Sequence, residues 1–140
     1  LDTLQANVLN IKLKSLKQEN KNRQKNARIY FKSLFDIKEI ILPVKNKYSE
    51  HIYHQYTIKV LDNKRDKLKK YLKNNGIETI IYYPKVFSQQ DAYKNRFKKI
   101  GNLANSIKLS KEVLSIPING NLSYKEILYI SENIRNFYDV

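Results

Sequence analysis

The chain's two histidines, His51 and His54, fall in one stretch, His51–Val60, so any imidazole acid–base or metal chemistry must start there. That stretch alternates. Ile52, His54, Tyr56, Ile58 and Val60 point one way, and Tyr53, Gln55, Thr57 and Lys59 the other. Period two with β-branched and aromatic residues predicts a half-buried strand, the central one of a small α+β domain. On such a strand the two histidines face opposite sides and cannot share a metal. With no cysteine and few carboxylates nearby, no metal site is expected. His54, on the apolar side, is expected to be a core or interface histidine with hydrogen-bonded nitrogens. Gly76, Gly101 and Gly120 stand alone, so no glycine-rich phosphate cradle is present, and no Gly-x-Ser-x-Gly elbow occurs. Tyr82, Tyr83, Lys85 and Phe87 interleave aromatic and basic side chains, as a nucleic-acid groove would. The basic–glycine–aromatic signature of RNA-binding sheets is missing.

Composition bounds what these residues can be part of. A chain of 140 residues, 41% hydrophobic with three Gly and three Pro, is long enough for one domain with a real core. The formal charge of +14 raises nucleic acid or an anionic surface as a partner. A duller cause competes: 22 Lys against 5 Arg, with 17 Ile and 16 Asn, is the residue usage of A/T-rich codons. Arginine, the residue suited to bidentate contacts, is scarce, so codon drift is the favoured explanation and nucleic acid is not the expected partner. The absence of cysteine excludes disulfides and fits a cytoplasmic address. No apolar run approaches the ~18 residues of a membrane span, so no membrane is expected. The opening Leu1-Asp2-Thr3-Leu4-Gln5 lacks the charged and apolar regions of a signal peptide.

The elements that must position these residues can be read from periodicity. Residues 1–35 read as a long connecting helix (its helical pattern spans 2 to 35) and residues 36–140 as a small α+β domain. Leu4, Val8 and Ile11, then Leu9, Leu13 and Leu16, keep helical spacing, and Ala27, Tyr30, Phe31 and Leu34 resume it. Lys17–Asn26 between them is almost wholly polar and reads as a solvated face crossing between packed regions. Ile37–Leu42 predicts a short strand stopped by Pro43. Asn63 is the predicted N-cap of a helix with Leu68, Tyr71 and Leu72 inward, ended by Gly76. Ile77–Tyr83 predicts a strand, with a crossover from the central strand if the two are parallel. A short helix is expected near Gln90–Phe97. Asn102 caps a helix carrying Leu103, Ile107 and Leu114 inward, and Leu114–Ile118 predicts an extended segment before an Asn119-Gly120-Asn121 turn. Ser123 and Glu126 form a capping box. Ile127, Ile130, Ile134 and Phe137 then make a stripe whose burial contributes ~6–12 kcal/mol before entropy, so the last helix should be docked.

Taken in order, several segments resemble one family. Leu1-Asp2-Thr3-Leu4-Gln5-Ala6-Asn7-Val8-Leu9 resembles the Leu-Asp-x-Leu-Gln-Ala-Ala-x-Leu segment of the DegT/DnrJ/EryC1/StrS sugar aminotransferases. Ile41-Leu42-Pro43 resembles that family's strand ending in Leu-Pro, and Tyr53-His54-Gln55-Tyr56 its Tyr-His-x-Tyr strand. Arg65-Asp66-Lys67-Leu68 and Gly76-Ile77 flank the matching helix. Tyr82-Tyr83-Pro84, Gln90 and Tyr93 resemble its His/Tyr-Tyr-Pro-x-Pro-Leu-His-x-Gln-x-x-Tyr loop, and Leu114–Ile118 its Leu-Ser-Leu-Pro. Asn7, Val86, Ser88 and Asp91 depart from the pattern; Ser88 stands where the family's loop has His.

The resemblance implies the C-terminal small domain of an aspartate aminotransferase-like, pyridoxal-phosphate-dependent enzyme, preceded by its long helix. It implies that Tyr82, Tyr83, Pro84, Gln90 and His54 lie on the substrate side and shape a pocket for a nucleotide sugar without transferring protons. None of the 22 lysines stands in the family's Schiff-base context, so no catalytic residue is assigned, and this segment alone is expected to bind no cofactor and to be inactive. Family members are homodimers, so a homodimer or docking to a separately encoded large domain is expected. The alternatives are a basic regulatory or nucleic-acid-binding module, or a complementing subunit.

Overall fold

The computed structural model describes residues 2–93 and 101–140. A single helix, α1 (Thr3–Leu34), opens the chain; Asp2 caps it by accepting from the Leu4 N–H at 2.8 Å. Only its second half is built into the domain: Asn26, Ala27, Tyr30 and Leu34 are buried, and its first turns are not. Strands β1 (Ile40–Ile41) and β2 (Tyr56–Val60) follow, then helix α2 (Arg65–Asn74) and a 3-10 turn at Phe87–Gln89. Helix α3 (Ala104–Glu112), strand β3 (Val113–Ile116) and helix α4 (Tyr124–Phe137) complete the described chain.

The sheet has the order β1-β2-β3, with β2 in the middle and both pairs antiparallel. β2 sends Tyr56, Ile58 and Val60 into the core and leaves Thr57 and Lys59 half-buried, the alternation of a one-sided strand. Against the buried side pack Tyr30 and Leu34 of α1, Leu68 and Leu72 of α2, and Ile127 and Ile134 of α4. The Tyr30 and Tyr56 rings meet at 5.1 Å. On the other side Thr57 and Ser115 are cross-strand partners, and their hydroxyls hydrogen-bond at 2.8 Å. α4 is fixed at its start by the capping box, in which Ser123 accepts from the Glu126 N–H and Glu126 accepts from the Ser123 N–H. It is fixed at its end by Arg135, which grips both carboxylate oxygens of Asp36 and donates to the Ser33 carbonyl.

Several expectations about elements are corrected. The central strand begins at Tyr56, not His51. Tyr53 adopts φ 50°, and its N–H donates to His51 Nδ1 at 2.9 Å, so a ring and a left-handed residue replace the ladder that alternation suggested. Asn63 does not cap α2: its φ of 55° is left-handed, where an N-cap needs extended backbone, and the helix starts one residue later behind Lys64 without a side-chain cap. Ile77–Tyr83 is not a full strand. Ile80 alone bridges, exchanging both backbone bonds with Ser115, while the Ile77 N–H closes back on Leu72 and the Thr79 carbonyl accepts from Lys69. Both Ile80 and β2 run antiparallel to β3, so they are parallel to each other with β3 between them. Leu114 points inward from β3 instead of from α3, which ends at Glu112. Asn102 is not the N-cap of α3 either: it lies one residue before that position, held by Leu103, and accepts from the N–H of Ala104, the first residue of the helix. Of the helix expected near Gln90–Phe97, residues 90–93 form a turn in which the Tyr93 N–H donates to the Gln90 carbonyl, and residues 94–97 lie outside the described residues.

The polar middle of α1 is not merely solvated. The buried Asn26 amide donates to the Asn119 and Leu122 carbonyls, and Gln24 donates to Glu50 and to the His51 carbonyl. Two loops therefore lie on this stretch, held by hydrogen bonds in place of apolar contacts. Their approach is close: a Cβ on Gly120 would sit 3.2 Å from the Glu19 carbonyl oxygen and 3.3 Å from its Cα. No helix of the described residues is long and apolar enough to cross a membrane.

Gly120→Ala presses a methyl on helix backbone that cannot yield, and should destabilise by ~1–3 kcal/mol, read as a lowered urea midpoint. A second expectation concerns alkaline pH. Burial raises the Tyr138 phenol to about 12, against ~10 in an unfolded chain. Its contribution is complete below the unfolded value and is lost as pH rises through the folded one. Its hydroxyl is buried without a partner, so Tyr138→Phe should cost nothing at pH 7 and flatten the fall in melting temperature above pH 10.

Candidate functional site

Two cavities flank one tyrosine. The larger, about 800 Å³, has a floor of Ile77, Ile80, Ile116, Pro117 and Ile118, with Tyr129 and Ile130 of α4 above. His54, Gln55, Tyr82, Lys125 and Glu126 bring polar groups to it. The smaller, about 570 Å³, lies between the Tyr82–Gln90 loop and α3, with Tyr83, Phe87, Gln90, Leu103 and Leu109 among its walls. Tyr82 lines both. The Tyr82 and Tyr83 rings stand edge to face at 5.7 Å. Phe87 stacks on Tyr93 at 4.2 Å, which gives the loop an aromatic platform.

Each cavity is held by structure behind it. The wall Ile116–Ile118 continues from β3 and is pinned by Tyr30, whose hydroxyl donates to the Pro117 carbonyl at 2.8 Å. Burial pushes the Tyr30 and Tyr56 phenols well above their ordinary range, so both stay neutral and Tyr30 keeps its proton to donate. Tyr129 reaches across to the Asn75 carbonyl, tying α4 to the end of α2, where Gly76 turns with φ 73°. The second cavity's α3 wall is anchored by the buried Arg65, which donates to the Ser110 and Val113 carbonyls and pairs with Asp66.

The residues predicted for the substrate side come together in part. His54 and Tyr82 share the larger cavity; Tyr82, Tyr83 and Gln90 share the smaller; Pro84 is exposed and lines neither. Of the core or interface role expected for His54, the core alternative is corrected. Because the strand starts after it, its side chain is exposed at the cavity rim. Sequence reasoning missed the α4 contribution, Lys125, Glu126 and Tyr129. Tyr124 and Tyr129 lie off the apolar stripe of that helix, the one signal that could have flagged its outer face. Among the described residues, no group of three His, Asp or Glu is placed to hold a metal. In the basic run on α2, Arg65 and Lys69 are spent on backbone carbonyls, while Lys67, Lys70 and Lys73 face solvent.

A three-stranded antiparallel sheet backed by helices, entered by one long helix and bearing an apolar cavity with an aromatic loop, makes a small α+β lobe. The comparisons specify it. The profile of the DegT/DnrJ/EryC1/StrS aminotransferase family matches residues 1–135, and the chain belongs to that family. It is 34% identical over 140 residues to a "Pleiotropic regulatory protein" of Geobacillus stearothermophilus, covering 99% of this chain and 37% of that one. It is 30% identical over 137 residues to dTDP-3-amino-3,4,6-trideoxy-alpha-D-glucose transaminase of Streptomyces venezuelae, covering 98% and 36%. Its fold superposes with a TM-score of 0.92 on the crystal structure of S. venezuelae DesV in complex with a ketimine intermediate, at 29% identity, covering all of this chain and 37% of DesV. An aminotransferase of the same family from Brucella abortus gives 0.90 at 35% identity. The chain thus spans a little over a third of the relatives it matches.

Side chains at the cavity rim should be separable from those behind it. His54→Ala and Tyr83→Ala should leave unfolding free energy within ~0.5 kcal/mol of the parent. Arg65→Ala, which strips donors from two carbonyls, should cost ~1–3 kcal/mol in the same denaturant titration.

Proposed function

We propose that this chain is the C-terminal small domain of a pyridoxal-phosphate-dependent nucleotide-sugar aminotransferase, and that it supplies one wall of the substrate site. The observation that carries the reading is the Tyr82–Gln90 loop beside the His54 cavity, within a fold superposing on DesV over its whole length. In this reading Tyr82, Tyr83, Pro84, Gln90 and His54 shape the pocket. The rings offer flat apolar surface to a sugar or base and Gln90 an amide to its polar groups. The amino group moves from an amino-acid donor to a keto sugar; the coenzyme supplies the electron sink for that transfer.

The described residues do not themselves fit the coenzyme. A Schiff-base lysine is activated by burial or a cationic neighbour. Among the described residues no lysine is buried, and Lys125, the one on the larger cavity, is exposed. This supports a division of labour in which the coenzyme is held by parts of the family fold that this chain does not span. The domain boundary proposed is residues 1–35 as connecting helix and 36–140 as the lobe proper, working in the cytoplasm with a large domain and as a homodimer.

The test is a chimera in which this chain replaces the matching third of the S. venezuelae transaminase. It should retain measurable amino-group transfer, and Tyr82→Ala in it should raise KM by about tenfold with a smaller change in kcat. An unchanged KM would remove Tyr82 from the site. The chain alone, mixed with pyridoxal phosphate and passed through gel filtration, should carry no imine absorbance; a retained band would overturn the division of labour.

A further inference from the structure

A third cavity, about 280 Å³, opens between α1 and the loop that follows β1, and shares no lining residue with the two described above. Ala27, Leu42 and Pro43 give it apolar walls, and Phe31 brings an exposed ring. Tyr56 lines it from the core side. That residue is 1% exposed, yet its hydroxyl has no hydrogen-bond partner among the described residues. Burial, with Tyr53 beside it, holds the phenol far above its ordinary range, so it keeps its proton and can donate. Most buried hydroxyls find a partner; one left over at the wall of a cavity is an unused donor.

Three cations, Arg28, Lys32 and Lys45, stand exposed at the rim. None of them forms an ion pair among the described residues. No carboxylate lines the cavity. Asp36, just past the end of α1, is taken by Arg135, and Glu50 accepts from Gln24, one turn before Arg28. The Arg28 Nε is tethered to the Gln24 carbonyl at 3.3 Å, which leaves the outer nitrogens of its fork without a partner. Codon drift scatters lysines over a surface. It does not clear acids from the rim of one cavity or leave a buried hydroxyl unpaired at its wall.

We propose that this cavity binds a nucleoside phosphate, its base beside Phe31 with a ring carbonyl accepting from Tyr56, its phosphate on Arg28, Lys32 and Lys45. Charge selects phosphate over carboxylate. A phosphate monoester carries about −1.5 to −2 at pH 7 and neutralises most of the rim, where a single carboxylate leaves two cations bare. Tyr56 selects a ring that carries an acceptor, because an aliphatic occupant would seal the hydroxyl from water with nothing to donate to. Size selects one base, since pockets for larger ligands run to ~300–1,000 Å³. The inference rests on this geometry and not on the aminotransferase reading.

Equilibrium dialysis of the whole chain against UMP tests it, with uridine, inorganic phosphate and a single-stranded uridine decanucleotide as comparisons. UMP should bind one to one, and at least about tenfold more tightly than uridine or phosphate. Arg28→Gln should weaken UMP roughly tenfold. Tyr56→Phe should weaken it about fivefold and leave the melting temperature unchanged, because the hydroxyl it removes has no partner in the fold. Absence of UMP binding overturns the assignment. So does phosphate or uridine binding as tightly as UMP, which reduces the site to bare charge or to an apolar slot. A decanucleotide that binds more than about tenfold tighter than UMP marks a polynucleotide track and overturns the single-base occupant. Binding that falls with Tyr82→Ala but survives both Arg28→Gln and Tyr56→Phe puts UMP in the larger cavity and overturns the site. None of these readouts involves amino-group transfer, so their failure leaves the proposed function standing, and an inactive chimera leaves this site standing.

Discussion

Two donors on α1 hold the whole arrangement in register. Asn26 and Tyr30, one turn apart, reach from the helix to the carbonyls of Pro117, Asn119 and Leu122. Those carbonyls belong to the connection between β3 and α4, and the same connection forms the wall of the larger cavity. The backbone groups would otherwise face the interior with no partner, which costs about as much as the bond is worth and often more. The loop therefore has one seat. Its seating sets where α4 begins, and the capping box at Ser123 then fixes the axis along which Ile127, Ile130 and Ile134 enter the core. A cavity whose wall is a loop is usually loose. This one is backed by a helix and two buried side chains.

That dependence explains the pattern of what could be read in the sequence. Elements defined by a repeating apolar stripe were legible: α1, α4 with its capping box, the inward positions of α2, and the alternation of Tyr56, Ile58 and Val60. Each rests on solvent partition at a fixed period, a local property. Elements decided by a single hydrogen bond were not. His51–Gln55 continues the period-two pattern, yet the His51 imidazole captures the Tyr53 N–H and Gln24 captures the His51 carbonyl, so that stretch never joins the ladder. The polar middle of α1 looked like a solvated bridge because its partners are main-chain carbonyls, and main-chain carbonyls have no signature in a sequence. The site was legible to the same degree. The Tyr82–Gln90 loop was found through resemblance; the α4 face that completes the cavity was not, because Lys125, Glu126 and Tyr129 look like any exposed helix surface.

The lobe has a closed apolar core and an open surface. Its core residues Tyr30, Leu34, Ile58, Val60, Leu68, Leu72, Leu114, Ile127 and Ile134 are fully enclosed within the chain itself. Large apolar side chains are left uncovered in the opening turns of α1 and around the aromatic loop, where Tyr83 is 71% exposed, and also at Phe31, Phe35, Val44 and Tyr48. Exposed apolar side chains scattered singly mean little, but concentrated ones mark places where another body belongs. Because those side chains contribute almost nothing to the core, they can change without unfolding the lobe. A segment matching barely more than a third of its relatives thus holds the same fold as the corresponding part of DesV.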